Sequence, residues 1–302
     1  MFKNVMLYRL VSGWSVDLVK LESALNEARF VPCPASQEKS VGWIEPRGVA
    51  NGPLVEIVDG QWILKLQFEI KVLPSSVVKR RAQEQIEAIE ASTGRKPGKK
   101  ETREIQENVR ISLLPMAFTK QSSVKVWISP GAQMLVLDAG SQSRADEVLT
   151  FLVKAVDGLA LQLINTQMSP AAAMAQWLAS KEAPAGFTVD RECELKAADE
   201  SKSVVRYARH ALDTDEVVQH IEAGKMPTRL ALTWNDHVSF VLTEGLQLKK
   251  LAILDVVFEA AASLASDGSD DQFDADVAIA TGELGQLIPE LLEALGSEVI
   301  PA

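Results

Sequence analysis

The stretch from 74 to 115, PSSVVKRRAQEQIEAIEASTGRKPGKKETREIQENVRISLLP, decides how this chain is built. Val78, Ala82, Ile86 and Ile89 recur at helical spacing before the Gly94–Gly98 segment, and Ile105, Val109 and Leu113 recur after it. Such stripes are too narrow to bury a helix in a globular core, so each helix covers little more than its partner. The pattern predicts a helical hairpin over 74–114 that projects from the body. Pro74 and Pro115 bracket it, as residues that start or stop helices. At about 1.5 Å per residue the hairpin reaches roughly 20 to 27 Å.

The charge of this stretch is the reverse of its surroundings. The chain of 302 residues has 31 basic and 41 acidic side chains and a net charge of -10. Residues 1–70 carry 7 basic and 8 acidic side chains, 71–125 carry 12 and 6, 126–250 carry 12 and 16, and 251–302 carry 0 and 11. Lys79, Arg80 and Arg81 fall near the base of the first helix, Arg95, Lys96, Lys99, Lys100 and Arg103 at the tip, and Arg110, Lys120 and Lys125 along the return. Pairs at helical spacing, Lys100 with Glu104 and Arg103 with Glu107, read as solvated surface. The cation surplus instead suits a polyanion, because backbone phosphates reward spaced Lys and Arg without a shaped pocket.

The rest of the chain reads as short strands and amphipathic helices. Strands are predicted at 2–10, 41–46, 54–73 with a turn at Asp59-Gly60, 124–140 with a turn at Pro130-Gly131, 229–234, 237–244 and 248–254. Asn235-Asp236 joins two of these. Helices are predicted at 15–29, capped by Ser15, at 143–156, 169–180 and 214–223, the last started by Asp213 or Thr214, and at 255–265 and 283–295. Strands meet through hairpins and not helical crossovers. The fold class is therefore α+β, with antiparallel sheets, flanking helices and the projecting helical hairpin.

Several chemistries find no support in the residues. The segment from Gly94 to Lys100 has its glycines one residue too close for a phosphate-binding loop, and Lys100 stands where magnesium needs Ser or Thr. His210, His220 and His237 show no metal-ligand spacing with one another or with Cys33 and Cys193, which predicts no metal, cofactor or disulfide. The acidic run from Asp267 to Asp276 lacks the glycine and glutamate of a calcium loop and reads as a solvated loop. Neither a nucleophile elbow nor paired carboxylates for two-metal chemistry can be recognised, so the chain reads as a non-enzyme. No apolar run reaches the roughly 18 residues of a membrane span, which predicts a soluble cytoplasmic protein without membrane contact.

Taken together, FKNVMLYRL at the start, VGWIEP, KVLPSSVVKRR, SLLPMAF, HIEAGKMPTRLALTW at 220–234 and QFDADVAIATGELGQLIPELLEALG resemble the RdgC family of recombination-associated proteins, in order and over essentially the whole chain. The resemblance implies a nucleoid-associated protein that binds double-stranded DNA with little sequence preference. It also implies a ring-shaped homodimer of horseshoe subunits around a positively lined hole, which limits RecA-promoted strand exchange through the DNA it covers. On this view 1–73 and 115–165 form a central domain, 74–114 the tip and 166–302 a base domain. The expected DNA-binding residues are Lys79, Arg80, Arg81, Arg95, Lys96, Lys99, Lys100, Arg103, Lys120, Arg209, Lys225 and Arg229, and Phe118 matches an aromatic residue where two tips meet. Met116 departs from the family in a place often held by a basic residue. The alternative is a protein-interaction module that inhibits a recombination protein by direct contact through its acidic carboxy-terminal region.

Overall fold

The computed structural model describes residues 2–11, 13–14, 17–264 and 272–299, and of 260–264 the backbone alone. In chain order the elements are β1 (Val5–Leu10), α1 (Leu18–Glu27), β2 (Lys39–Ile44), β3 (Glu56–Val58), β4 (Gln61–Val72), α2 (Ser75–Thr93), α3 (Lys99–Leu113), β5 (Phe118–Ser129), β6 (Met134–Asp138) and α4 (Gln142–Ala155). There follow β7 (Leu161–Leu163), α5 (Pro170–Ser180), β8 (Phe187–Ala197), β9 (Val204–Ala208), α6 (Asp215–Glu222), β10 (Lys225–Trp234), β11 (Val238–Thr243), β12 (Leu248–Ile253), α7 (Asp255–Leu264) and α8 (Gln272–Ala294). This is a mixed fold of helices and antiparallel sheet, as the hairpin connections predict. It divides into two compact units, Met1–Leu21 with Val55–Leu64 and Lys125–Ala302, and Glu22–Leu54 with Lys65–Val124.

The larger unit is built on a sheet in which β6 pairs with β1, β1 with β12 and β7, β12 with β11, β11 with β10, β10 with β8 and β8 with β9. Its turns follow local chemistry. Asp59 and Gly60 both take positive φ in the two-residue turn between Val58 and Gln61, and Asn235 and Asp236 do the same ahead of β11. The inward face of β8, β10 and β11 places Phe187, Leu195, Leu230, Leu232, Trp234 and Phe240 against α5, α6 and α8, and the rings of Phe187 and Phe240 meet edge to face at 6.4 Å. Helix α8 buries Val277, Ala280, Leu284, Leu287, Ile288 and Leu291, the stripe of a helix covered along one side.

In the smaller unit β2 pairs with 65–70 of β4, from Lys39↔Ile70 to Ile44↔Lys65. Gly42 lets the preceding chain cross β2 closely, for a Cβ there would lie 2.3 Å from the backbone Cα of Phe30. That crossing is fixed by Phe30 N–H to Trp43 C=O at 2.9 Å and Trp43 N–H to Ala28 C=O at 3.0 Å. Glu69, a buried carboxylate on β4, accepts from the Cys33 N–H at 2.6 Å and from Gln121 Nε2 at 3.1 Å. These bonds, the Cys33 one first, hold its carboxyl below the usual range.

Three expectations need correction, and two lie outside the described residues. Strands β8 and β9 are absent from the sequence reading, which left 187–208 without regular structure. The helix expected at 283–295 begins at Gln272, so the end of the acidic run read as a solvated loop, 272–276, is helical. Of the acidic run, residues 267–271 lie outside the described residues, as does the expected cap Ser15. Thr214 does occupy the N-cap of α6, yet its hydroxyl is buried without a partner and caps nothing.

Candidate functional site

Helices α2 and α3 pack on each other through a small core of Ala82, Ile86, Ile105 and Val109, flanked by Val78, Ile89 and Leu113. These are the residues of the two predicted stripes. Gly94 ends α2 in the left-handed region at φ 68, where it costs least, and donates its N–H to the Glu90 carbonyl at 2.8 Å. Gly98 opens α3 in extended geometry, and Pro97 is buried beneath the turn.

Around this core the cations fall into two groups. Arg80 and Arg81 share Glu84, at 4.0 and 3.0 Å, and Arg95 reaches Glu101 at 2.9 Å. Arg110 grips Glu38 with two N–H groups and holds its carboxyl below the usual range, chiefly by hydrogen bonding. By contrast Lys79, Lys96, Lys99, Lys100, Arg103 and Lys120 are exposed and have no carboxylate within 4.0 Å among the described residues. The expected pairs Lys100–Glu104 and Arg103–Glu107 do not form, since exposed pairs gain little over solvation. Pro97, Lys99, Lys100, Thr102 and Arg103 instead line a shallow hollow of about 640 Å³. Lys99 and Lys100 lie in the first turn of α3, where the helix dipole disfavours cations.

From the last turn of α3 onward the chain exposes apolar side chains. Phe118 is 86% exposed at the start of β5, and Met116 and Ile111 are exposed nearby in sequence. Phe118 is therefore no core residue of the strand it begins.

The remaining candidates belong to the larger unit. Tyr207 on β9 donates to Glu216 at 3.1 Å, and its ring lies 5.5 Å from that of His210 and 6.4 Å from that of His220. Lys225 Nζ is 3.3 Å from His220 Nδ1, so Lys225 and the Arg209-His210 turn are linked through Tyr207 and His220. Burial first, then the bond to Glu216, pushes the Tyr207 hydroxyl up to about 12. Arg209 stands exposed at φ 55. Arg229 is separate, in a groove of about 310 Å³ shared with Lys196, Lys249 and Glu194. Glu194 accepts from Arg206 at 2.6 Å and Thr228 at 2.8 Å, and the Arg206 bond is the largest cause of its lowered carboxyl, ahead of the nearby Arg229 charge. Lys196 escaped sequence reasoning because β8 did, whereas Lys249 lies on the strand predicted at 248–254 and was not singled out. Alternation along 187–197 was the available signal.

A family model described as "Putative exonuclease, RdgC" matches residues 1–298. The chain belongs to the RdgC family. Relatives include the recombination-associated protein RdgC of Dechloromonas aromatica, 47% identical over 304 residues, covering 100% of this chain and 99% of the relative. Those of Cupriavidus necator and Herminiimonas arsenicoxydans are 45% and 44% identical, each covering 98% of this chain and 98% of the relative. RdgC similarity thus runs through both units and not the helix pair alone. Among the described residues no group of three or more His, Cys, Asp or Glu is placed to hold a metal ion, and no helix is long and apolar enough to cross a membrane. Both cysteines are free, and burial pushes the Cys193 thiol up to about 12.

Proposed function

We propose that this RdgC-family chain binds double-stranded DNA without sequence preference and acts as a ring-shaped homodimer that limits RecA-promoted strand exchange by occupying the duplex. The observation that carries this reading is the set of six exposed cations on and beside α2 and α3 that have no carboxylate partner among the described residues, in a chain with a surplus of carboxylates. Cations left in solvent release counterions from a phosphate backbone and need no particular register. The helix pair is then the projecting tip, 74–114, with 1–73 and 115–165 as a central domain and 166–302 as a base domain. Phe118 supplies the tip contact between subunits, since an exposed aromatic gains most when a partner buries it. Lys79, Arg80, Arg81, Arg95, Lys96, Lys99, Lys100, Arg103, Lys120, Arg209, Lys225 and Arg229 line the path of the DNA. The action is steric and electrostatic, with no bond made or broken, and places the protein on the nucleoid.

Affinity for a random-sequence duplex, measured against salt, tests the reading. A steep fall with salt that is alike for unrelated sequences supports it, and salt-independent or absent binding overturns it. A second reading, direct contact with a recombination protein, is favoured by the 11 acidic and 0 basic residues of 251–302. Inhibition of RecA strand exchange that excess duplex DNA relieves supports the first reading. Inhibition indifferent to added DNA supports the second.

A further inference from the structure

The register of the larger unit's sheet decides which of its cations have a partner. On the face turned away from α5, α6 and α8, Arg206 of β9 lies directly opposite Glu194 of β8 and bonds it at 2.6 Å. Lys250 reaches Glu192 at 2.6 Å. Opposite charges set side by side on one sheet face attract, so these two cations are spent. Lys196 has no such neighbour, for it lies between Val204 of β9 and Met226 of β10. Lys249 stands opposite Val241 of β11. Arg229 does face Glu194, but that carboxylate already accepts from Arg206 and, at 2.8 Å, from Thr228, and the other neighbour of Arg229 is Thr243.

Lys196, Arg229 and Lys249 come from β8, β10 and β12 and line one groove of about 310 Å³ with Glu194, Glu244 and Gln247. None of the three has a carboxylate within 4.0 Å among the described residues. Arg206 neutralises Glu194 in place, which leaves Glu244 as the groove's one carboxylate without a cation partner among the described residues. Val204 and Met226, 44% and 37% exposed, flank Lys196 with apolar surface and offer its ammonium nothing to bind.

Cations that stand in water around a groove, with no ion pair to break, gain counterion release for each phosphate they neutralise. We infer that this groove is a further phosphate-contact site for double-stranded DNA, in which Lys196 and Lys249 join Arg229 in holding the backbone. Gln247 adds a neutral donor of the kind that phosphate oxygens also accept, and contacts of this type carry no sequence information. The inference rests on the duplex-binding reading and adds to it two residues and a sheet face.

Fluorescence anisotropy of the full chain on a random-sequence duplex across a salt series tests it, with sedimentation and thermal unfolding in parallel. Lys196→Gln with Lys249→Gln lowers the slope of log affinity against log salt by up to about 1.8 per chain, at about 0.9 per phosphate. Raising salt from about 50 to 200 mM then weakens that variant about twelvefold less than the natural protein. Arginine at both positions keeps the natural slope, since only the charge is required. Glu244→Gln tightens duplex binding at low salt, where the repulsion it relieves is least screened. Glu192→Gln with Lys250→Ala deletes a pair that is already neutral and leaves the slope as it was. Suppose the natural chain binds steeply and loses slope when Lys96, Lys99, Lys100 and Arg103 become alanine. An unchanged slope in the folded double glutamine variant then overturns this inference and leaves the duplex reading standing. Absence of salt-dependent duplex binding by the natural chain overturns both. If the double glutamine variant keeps its slope but loses self-association, the groove is a contact between copies and the inference fails.

Discussion

Replacing Lys96, Lys99, Lys100 and Arg103 together by alanine removes four cations that touch no carboxylate among the described residues. At about 0.9 units of salt slope per neutralised phosphate, four contacts lower the slope of log affinity against log salt by up to about 3.6 per chain. Raising salt from about 50 to 200 mM then weakens the variant about 150-fold less than the natural protein, per engaged tip. Folding does not confound the comparison, because Lys99 and Lys100 oppose the dipole of α3 and their removal spares the helix. Arg110 supplies the contrast. Changing Arg110 and Glu38 together deletes a pair that already neutralises itself, and the slope stays within about one unit of its starting value. The assay is fluorescence anisotropy on a random duplex across a salt series, with sedimentation in parallel. An unchanged slope in a folded quadruple variant of unaltered assembly state refutes the assignment of these cations to phosphate.

Phe118→Ala leaves the stability of the chain within about 0.5 kcal/mol, since the ring is 86% exposed, but weakens self-association about 30-fold if it is the anchor of the tip contact. Sedimentation equilibrium reads the second effect and urea unfolding the first. Ile86→Ala removes one of four residues in the core between α2 and α3 and costs about 2 to 4 kcal/mol. Hydrogen exchange then speeds in 75–113 while the amides of β8, β10 and β11 keep their protection. Glu194 is held below its ordinary value of 4.5, so its stabilising effect is complete above that pH and is lost as pH falls through the lowered value. Glu194→Gln therefore destabilises near neutrality, by about 1 kcal/mol once screening at the exposed Arg206 is allowed for, and the difference closes in acid. Urea midpoints at neutral and acidic pH measure it.

Legibility followed the range of the interactions. Turns at Asp59-Gly60 and Asn235-Asp236, and the stripes of α2 and α3, were readable because each is set by a few consecutive residues. Strand β8 hid behind its charges: Asp190, Arg191, Glu192, Glu194 and Lys196 fall within eleven residues, and only the fold supplies Arg206 and Lys250 as partners for two of them. Helix α8 was begun too late in the reading, at 283 just past Gly282, whose local preference is overridden by burial of Val277, Ala280, Leu284 and Leu287.

Which cations are spent and which are free was the least legible feature of all. Arg95 pairs with Glu101 and Arg110 with Glu38, neither at the spacing that helix periodicity suggests. Yet Glu104 and Glu107 lie at helical spacing from Lys100 and Arg103, and the chain has 41 acidic side chains in all, so carboxylates are not scarce. Pairing within the chain is worth less than about 1 kcal/mol at an exposed site, whereas each phosphate contact releases a counterion. Cations that ignore available carboxylates in the free protein are the ones with most to gain from a polyanion. On that comparison the unpartnered residues, and not the total basic count, set the salt slope to be measured.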